Sequence, residues 1–399
     1  MITRVSIGKK ISVILLTCLC LWTCSKTNDG VIKTLPKPFP KKFEKISVKK
    51  IFSTDIILGG FCVPFSDGIF LYEVLDNQGT YIKLKSFDMN GQLRKESDIK
   101  RNEGPDGIFS MNHCFSQGDR LMFIDHNTYL KEINPYDLSI RTLEKISNKI
   151  DEYHTKFIFG RDTNADIDFN NNKTITSFET TDYFSLDYYI VSYKGNFEQL
   201  KVIHKVKKKM LKTWAAGFKN NYEHFIDYNN WARSPRNQAV DWKNGFIYFF
   251  ADSEKPEISR INMKGNNLTT IRLGINSKNF KMDREKIDVW YGWAIGGMPK
   301  IPGIKRKYSR VYSETAPVLR DVDIFGDWLL ITTGKRNWDT FENEVLVYRL
   351  PDLSYEGSFF IPTGDWPTDK YGNYFVTKRI IEKNDDYFTQ YNCYQLVKK

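Results

Sequence analysis

The sequence has few of the residues that carry most enzymatic chemistry. It contains five histidines among 399 residues, and they show no close metal-ligand spacing. Neither a G-x-S-x-G nor an H-E-x-x-H motif occurs. His126, which follows Asp125, could act as a general base, but a single His–Asp neighbour pair gives little support for catalysis. We therefore predict no catalytic residue, no metal and no cofactor.

One segment comes near a calcium-binding pattern. Residues 162–172, DTNADIDFNNN, place Asp162, Asn164, Asp166 and Asp168 at alternate positions. A calcium loop also needs a glycine at its sixth position and a glutamate at its twelfth, and both are missing here. The segment therefore favours a surface hairpin over a calcium site.

Cysteine is also scarce, with six in the whole chain. If the N-terminal leader is removed at Cys24 and that residue is lipidated, the remaining thiols are Cys62, Cys114 and Cys393. This odd number excludes a scaffold stapled entirely by disulfides, although one pair could form. We expect buried, reduced cysteines and a fold stabilised by its core.

The main apolar run lies at the N-terminus and is too short to span a bilayer as a helix. It extends from Ile11 to Trp22 and follows the basic residues Arg4, Lys9 and Lys10. A basic start followed by a short apolar stretch is typical of an export signal.

The end of this leader resembles a bacterial lipoprotein cleavage box. Cys24 follows Leu21 at position minus three and the small residue Thr23 at minus one. Cys18 is a competing site, and ordinary cleavage without a lipid is a third alternative. We predict a signal peptide over residues 1–24 with lipidation of Cys24. The protein would then be anchored by lipid to the outer membrane of the cell envelope, facing the periplasm or the surface.

The next segment has the composition of a spacer. Residues 25–42 combine Pro36, Pro38 and Pro40 with lysines and small polar residues, which favours a flexible, extended tether. We predict one domain over residues 43–399.

The chain is basic, with a formal net charge of +11. Three of its positive charges, on Arg4, Lys9 and Lys10, belong to the leader. Nucleic acid is the usual partner of a basic cytosolic domain, but an exported lipoprotein seldom meets it. We expect a monomer that meets an acidic glycan or an anionic surface, with no nucleic-acid partner. The basic run 201–212, KVIHKVKKKMLK, predicts an outer strand or loop whose lysines discourage edge pairing, or alternatively a contact with anionic lipid or polysaccharide.

A repeated pattern organises the rest of the chain, which is 41% hydrophobic and 15% aromatic. A turn is followed by a strand of aromatic and β-branched residues, a hairpin and a second strand. Six copies begin at Ser66, Gln117, Asn171, Asn244, Gly326 and Tyr371. Each copy predicts the two middle strands of a blade, and the segments between copies have room for an inner and an outer strand. This all-β pattern predicts a six-bladed β-propeller of four-stranded antiparallel blades.

The last copy ends with the chain and leaves no residues for an outer strand. The segment Phe43 to Ile51, FEKISVKKI, alternates apolar and polar residues like a half-buried strand. We predict that it pairs with the C-terminal blade around Cys393 and closes the ring. Closure would remove an open sheet edge.

A short motif adds a family resemblance. Glu103 to Phe109, EGPDGIF, leads into NHCFSQGDRLMFIDHNTYLKEINPYD behind the lipoprotein signal. In these features the chain resembles the six-bladed β-propeller lipoproteins of Bacteroidota, including a group known only as a domain of unknown function. Many relatives carry G-x-G-P-G-E-F, whereas here Asn102 takes the place of the first glycine and Asp106-Gly107-Ile108 replaces Gly-Glu-Phe. The resemblance covers most of the chain and implies an envelope-attached propeller without an established activity.

The same glycine- and proline-rich run is a candidate binding loop. Pro105 fixes φ, and Gly104 and Gly107 tolerate a positive φ, so the run forms a tight turn that exposes backbone N–H groups. Arg101 and Glu103 lie beside it, and together these groups could bind an anion or a sugar hydroxyl. The alternative is a structural turn that delivers the inner strand of the second blade.

Two insertions between copies, residues 214–245 and 289–319, combine aromatic and basic side chains. Such combinations suit sugar stacking or a protein hot spot, and loops usually carry the function of a propeller. The alternative is that the aromatics fill gaps between blades. The predicted ligand-binding residues of the insertions are Trp231, Arg233, Arg236, Trp290, Tyr291, Trp293, Lys305 and Arg306.

Two functions fit these observations. The first is a non-catalytic binding or scaffold lipoprotein that recognises a glycan, a peptide or an envelope protein. The second is a propeller hydrolase or lyase that acts on a glycan or lactone at the central channel, since a fold alone does not decide function. Carboxylates and histidines converging at the axis would favour the enzyme.

Overall fold

The computed structural model describes the chain from residue 31 onward, with gaps. The described residues are 31–56, 60–76, 79–102, 107–109, 111–117, 120–125, 129–145, 166–168, 171, 173–179, 188–194, 198–206, 223–227, 238–253, 255–275, 280, 307–311, 318–363, 366–384 and 386–399. These residues form β-strands, turns and bends, and no helix occurs among them. The predicted all-β class is therefore confirmed.

The first three sheets, numbered in chain order, each contain four antiparallel strands in which sequence neighbours pair. Sheet I consists of β3 (Gly60–Phe65), β4 (Gly68–Val74), β5 (Tyr81–Asp88) and β6 (Leu93–Lys100). Sheet II consists of β7 (Met111–Gln117), β8 (Arg120–Asp125), β9 (Tyr129–Ile133) and β10 (Ile140–Lys145). Sheet III consists of β11 (Asp166–Asp168), β12 (Lys173–Glu179), β13 (Tyr188–Lys194) and β14 (Glu198–Val206).

Three further sheets repeat this arrangement. Sheet IV consists of β16 (Gln238–Asp241), β17 (Phe246–Phe249), β18 (Glu257–Asn262) and β19 (Thr269–Arg272), with β1 (Val31–Thr34) added in parallel beside β19. Sheet V consists of β21 (Leu319–Phe325), β22 (Trp328–Asn337), β23 (Glu342–Arg349) and β24 (Ser354–Pro362). Sheet VI consists of β25 (Trp366–Tyr371), β26 (Tyr374–Lys383), β27 (Asp386–Lys398) and β2 (Ile46–Ile56). A separate parallel pair joins β15 (Glu223–Asp227) to β20 (Lys307–Val311).

The six sequence repeats supply the two middle strands of sheets I to VI, as predicted. The first repeat contains β4 and β5, for example, and the segments before and after it contain β3 and β6. The middle strands are rich in β-branched and aromatic residues that are buried on both faces, as in β4, where Gly68 to Tyr72 are all buried.

Sheet VI combines strands from the two ends of the chain. Strand β2 pairs antiparallel with β27, from Ile46 opposite Lys398 to Ile56 opposite Thr389, and Phe52 faces Cys393. The predicted pairing of the N-terminal strand with the strand around Cys393 is therefore confirmed. The strand begins three residues later than Phe43 because the residues before Ile46 contact sheet V.

The core consists of apolar layers between successive sheets. Five clusters of buried side chains join sheet III to IV, IV to V, V to VI, VI to I and I to II among the described residues. The first strands of the sheets lie beside one another: β3 contacts both β25 and β7, and β16 contacts β21. The sheets thus pack face to face with their first strands on the same side.

The predicted tether, residues 25–42, differs from the structure over residues 31–42, which lie against the sheets. We call residues 31–45 the N-terminal belt. Strand β1 pairs with β19, the outer strand of sheet IV. Farther along, the Phe43 N–H donates to the Ser358 carbonyl at 2.8 Å and the Ser358 N–H donates to the Lys41 carbonyl at 2.8 Å, on the outer strand of sheet V. Leu35 and Phe43 are buried, so their apolar area holds the belt against the sheets. The tether prediction is left for residues 25–30 alone, which lie outside the described residues.

The three cysteines expected in the mature chain are buried thiols. Cys62, Cys114 and Cys393 take part in no disulfide in the described structure. Burial raises the pKa of the Cys393 thiol to about 12, with a backbone hydrogen bond from Tyr394 acting in the opposite direction. The expectation of buried, reduced cysteine is confirmed for these three residues.

Candidate binding sites

Arg101 is the predicted ligand-binding residue that falls within the described part of the chain. The other predicted site residues lie outside it: Glu103, Trp231, Arg233, Arg236, Trp290, Tyr291, Trp293, Lys305 and Arg306, together with Cys24. His126 also lies outside it, as does the first part of the segment 162–172.

Arg101 contacts sheet I. Its Nη2 donates a hydrogen bond to the Tyr72 hydroxyl. Tyr72 is buried and stacks on Phe61, with ring centroids 4.8 Å apart and an interplanar angle of 6°. Burial raises the pKa of the Tyr72 phenol, while Arg101 lowers it. The guanidinium thus fixes the start of the loop that follows β6.

A buried ion pair fixes the end of the same loop. Lys131 Nζ lies 2.7 Å from Asp125 Oδ2, and both side chains are almost inaccessible to solvent. Lys131 also donates to the Gly107 carbonyl at 2.6 Å, and the Phe109 N–H donates to Asp125 Oδ1 at 3.0 Å. The two charged groups of sheet II therefore bind the backbone of the loop on both sides of Ile108.

This geometry supports the structural interpretation of the glycine- and proline-rich run. The loop connects β6, the outer strand of sheet I, to β7, the first strand of sheet II. Glycine suits position 107 because a Cβ atom there would lie 2.8 Å from the backbone oxygen of Asn102. Asp125, the neighbour of His126 in the sequence, accepts hydrogen bonds from the Phe109 N–H and from Lys131 Nζ. Sequence reasoning missed Lys131, because a lysine between Leu130 and Glu132 gives no sign of burial.

The two aromatic insertions come together in the structure. Strand β15 lies in the first insertion and β20 in the second, and they pair in parallel from Glu223 opposite Lys307 to Asp227 opposite Val311. Sequence reasoning did not predict that these segments, 84 residues apart, are neighbours. Nothing in their local pattern encodes a parallel partner at that separation.

The basic run and the Asp-rich segment are both strands where they are described. Glu198–Val206 forms β14, the outer strand of sheet III, which confirms the predicted outer strand for the first part of the basic run. Burial lowers the pKa of His204 within it. Asp166–Asp168 pairs with Lys173–Ile175 in a hairpin, which agrees with the hairpin part of the prediction.

A concave site that the sequence did not predict lies between the belt and sheet V. This belt groove has a volume of about 1300 Å³. Its apolar lining includes Phe39 of the belt and Tyr355, Phe359 and Phe360 of β24. Phe39 is 57% exposed and Phe360 42% exposed. The edge of one ring meets the face of another where Phe39 contacts Tyr355, with centroids 5.5 Å apart.

The rim of the belt groove is rich in lysine. Lys37, Lys41, Lys42, Lys50, Lys335 and Lys399 line it, against the carboxylates of Glu44, Glu342 and Glu344. Lys335 Nζ lies 3.0 Å from Glu344 Oε1 and 5.8 Å from the Phe360 ring centroid. Burial raises the pKa of the nearby Tyr355 phenol, and the Glu344 carboxylate adds to that effect. The groove therefore combines flat aromatic surface with an excess of positive charge.

The described residues include no group of three or more His, Cys, Asp or Glu side chains that could hold a metal ion. Within the same residues, no helix has the length and apolar character needed to cross a membrane.

Comparison with known proteins gives no family assignment. No protein-family model matches the chain, and no curated protein matches it. Among solved structures, the chain is similar to a nidogen/laminin complex, with 8% identity over 78% of this chain and 79% of that chain and a TM-score of 0.36. It is also similar to BamB from Moraxella catarrhalis, with 9% identity over 86% of this chain and 97% of that chain and a TM-score of 0.30. At these TM-scores the likeness carries no argument about fold or function.

Proposed function

We propose that sheets I to VI are the six blades of a β-propeller arranged around one axis. Three observations support this architecture: the apolar layers between successive sheets, the contacts among their first strands, and the completion of sheet VI by both chain ends. In the order III, IV, V, VI, I and II, each sheet packs on the next. A closed ring then requires sheet II to pack on sheet III.

We propose further that this propeller is a non-catalytic binding or scaffold protein that recognises a glycan or an envelope protein. The observation that carries this proposal is the parallel pairing of β15 with β20, because it joins the two aromatic and basic insertions. Trp231 follows β15 by four residues, and Lys305 and Arg306 directly precede β20. Aromatic and cationic side chains from both insertions can therefore contribute to one surface, which suits sugar stacking or a protein hot spot.

We propose that the protein reaches the envelope through lipidation of Cys24. The support is the basic start, the short apolar run and the cleavage box of the leader. Mass spectrometry of the purified protein should find an acylated N-terminal Cys24, and Cys24→Ala should abolish acylation while Cys18→Ala leaves it unchanged. If Cys18→Ala abolished acylation and Cys24→Ala did not, Cys18 would be the lipidated residue. A mature N-terminus without a lipid would refute the lipid anchor.

A glycan array and a pull-down from envelope extract test the binding function. The purified full chain is compared with Trp231→Ala and Trp293→Ala, one in each insertion, and with Tyr81→Ala as a matched control. Tyr81 is 47% exposed and lies on β5, which belongs to neither insertion. The insertion variants should lose the detected interactions, and the control should keep them. If both insertion variants kept every interaction, the insertion site would be refuted.

A further inference from the structure

We propose that the belt groove binds an acidic oligosaccharide. This inference deepens the proposed binding function, because it names a ligand class and a second site. It is argued from the described residues of the belt and sheet V, and it needs neither the insertions nor the lipid.

The groove offers apolar surface at a site that the fold leaves open to solvent. Phe39 and Phe360 expose about half of their side chains, at 57% and 42%, although Leu35 and Phe43 of the same belt are buried. Tyr355 supports Phe39 from the side. Exposed aromatic rings on the wall of a concave site can stack on the apolar faces of sugar rings.

The charges around the groove favour an anionic ligand. Lys42 pairs with Glu44 at 3.4 Å and Lys335 with Glu344 at 3.0 Å, so these four groups largely compensate one another. Lys37 and Lys41 are exposed and form no ion pair with another described residue. They lie two residues before and two residues after Phe39 in the sequence and line the same groove as its ring. A sugar ring on Phe39 would place its carboxylate or sulfate within reach of these lysines.

The backbone of the belt disfavours an acidic peptide as the occupant. A peptide that binds as an added strand needs free N–H groups on the edge it meets. Pro38 and Pro40, which line the groove on either side of Phe39, have no N–H. The backbone of Lys41 and Phe43 is already hydrogen-bonded to Ser358. Recognition through rings and lysine side chains, without strand pairing, is the mode of a carbohydrate site.

The volume also suits an extended ligand. About 1300 Å³ exceeds the space that a drug-sized molecule fills, roughly 300–1000 Å³. Several sugar units can lie in the groove, where Lys37, Phe39 and Lys41 follow one another along the belt with a proline between each pair. The groove therefore fits a segment of an acidic polysaccharide.

Calorimetric titration of the purified full chain tests this proposal. The probes are a galacturonate heptamer and a heparin-derived hexasaccharide, with the methyl-esterified galacturonate heptamer as the neutral control and a heptaglutamate peptide as the peptide control. At least one acidic oligosaccharide should bind, and its affinity should fall as salt rises from 50 to 200 mM. The neutral sugar and the peptide should bind at least roughly tenfold more weakly.

Two groove variants and two matched variants locate the site. Phe39→Ala should weaken binding roughly three- to tenfold, and the double variant Lys37→Gln with Lys41→Gln about tenfold at low salt. The matched variants are Tyr81→Ala and the double variant Lys95→Gln with Lys100→Gln, which removes two exposed lysines from β6. Both should bind as the unmodified chain does. All four variants should unfold cooperatively, with thermal midpoints within about 4 °C of that of the unmodified chain.

Three results would overturn the proposal. The first is that neither acidic oligosaccharide binds. The second is that the groove variants bind the oligosaccharide as tightly as the unmodified chain does. The third is that the heptaglutamate peptide binds as tightly as the sugars and through the same residues, which would make the groove an acidic-peptide site. None of these results depends on the insertions, so the outcome is separable from the test with Trp231→Ala and Trp293→Ala.

Discussion

Replacing Phe43 by Ala tests whether the N-terminal belt is part of the folded domain. Phe43 is 4% exposed and lies between the rings of Trp328 and Phe359, at centroid distances of 5.5 and 6.2 Å. Truncating a phenylalanine in a well-packed core costs about 3–5 kcal/mol. The belt lies at a sheet edge and can detach locally, so the substitution cannot lower the free energy of unfolding by more than the belt contributes. We therefore expect a loss near the lower end, about 3 kcal/mol in the free energy of unfolding.

Phe39→Ala is the matched control, because it removes the same side chain four residues earlier in the same belt. Phe39 is 57% exposed and contacts Tyr355 edge-on. Losing that contact should cost about 1 kcal/mol or less. Urea unfolding, followed by tryptophan fluorescence, measures the free energy of unfolding of both variants. Their midpoints can be compared directly if the m-values are equal. If Phe43→Ala cost no more than Phe39→Ala, the belt would be a tether and our interpretation of its packing would be wrong.

Three further predictions concern buried and titrating groups. Lys131→Met leaves the Asp125 carboxylate buried without its cation, so it should cost about 3–5 kcal/mol in urea unfolding, and adding Asp125→Asn should recover part of that loss. Hydrogen bonds from Arg120 hold the pKa of Glu132 below its usual 4.5. The ionised Glu132 side chain therefore stabilises the fold fully at pH 7, and this contribution to the unfolding free energy is lost as the pH falls below about 4.5. The difference in unfolding free energy between the unmodified chain and Glu132→Gln should shrink over that range, and a constant difference from pH 7 to pH 3 would contradict it. Cys393 should resist alkylation by iodoacetamide at pH 8 until the protein unfolds, because its thiol is buried and its pKa is raised to about 12. Peptide mass spectrometry measures the alkylation. Rapid alkylation of the folded protein would show that the thiol is accessible.

The sequence predicts the regular part of this fold well because the signal is local. Each repeat places β-branched and aromatic residues in two strands joined by a turn, as in β4 and β5, so the hairpin is encoded within about twenty residues. The pairing of β2 with β27 was also predictable, because the last repeat lacked an outer strand and the N-terminal segment alternated.

The features that sequence reasoning missed depend on contacts between distant segments. Pro36, Pro38 and Pro40 correctly indicate an extended chain. Leu35 and Phe43 anchor it by burial, but these few apolar residues among prolines and lysines leave the segment with the composition of a tether. The belt groove exists only because that chain lies across sheet V. The parallel pairing of β15 with β20 likewise has no local signature.

The same limit applies to the loop after β6. Its turn residues predict its shape, and the structure adds the charges that hold it in place. Lys131 in the strand Tyr129–Ile133 would be solvent-facing by residue type, yet it is fully buried against Asp125. Burial of a lysine follows from the partner that another strand supplies. Such a pair can be recognised only when the neighbouring backbone is known.

A distance measurement between sheets II and III tests the six-bladed ring most directly. Lys100 and Lys145 are the last residues of the outer strands of sheets I and II, and Lys205 is the second-last residue of the outer strand of sheet III. Each lies opposite a tyrosine of the preceding strand. Sheets I and II share a buried apolar layer, so spin labels at positions 100 and 145 give the spacing of two packed sheets. Labels at positions 145 and 205 should give the same distance within the width of the distribution if the ring is closed. A clearly longer distance between positions 145 and 205 would show an open arc of sheets and contradict the propeller.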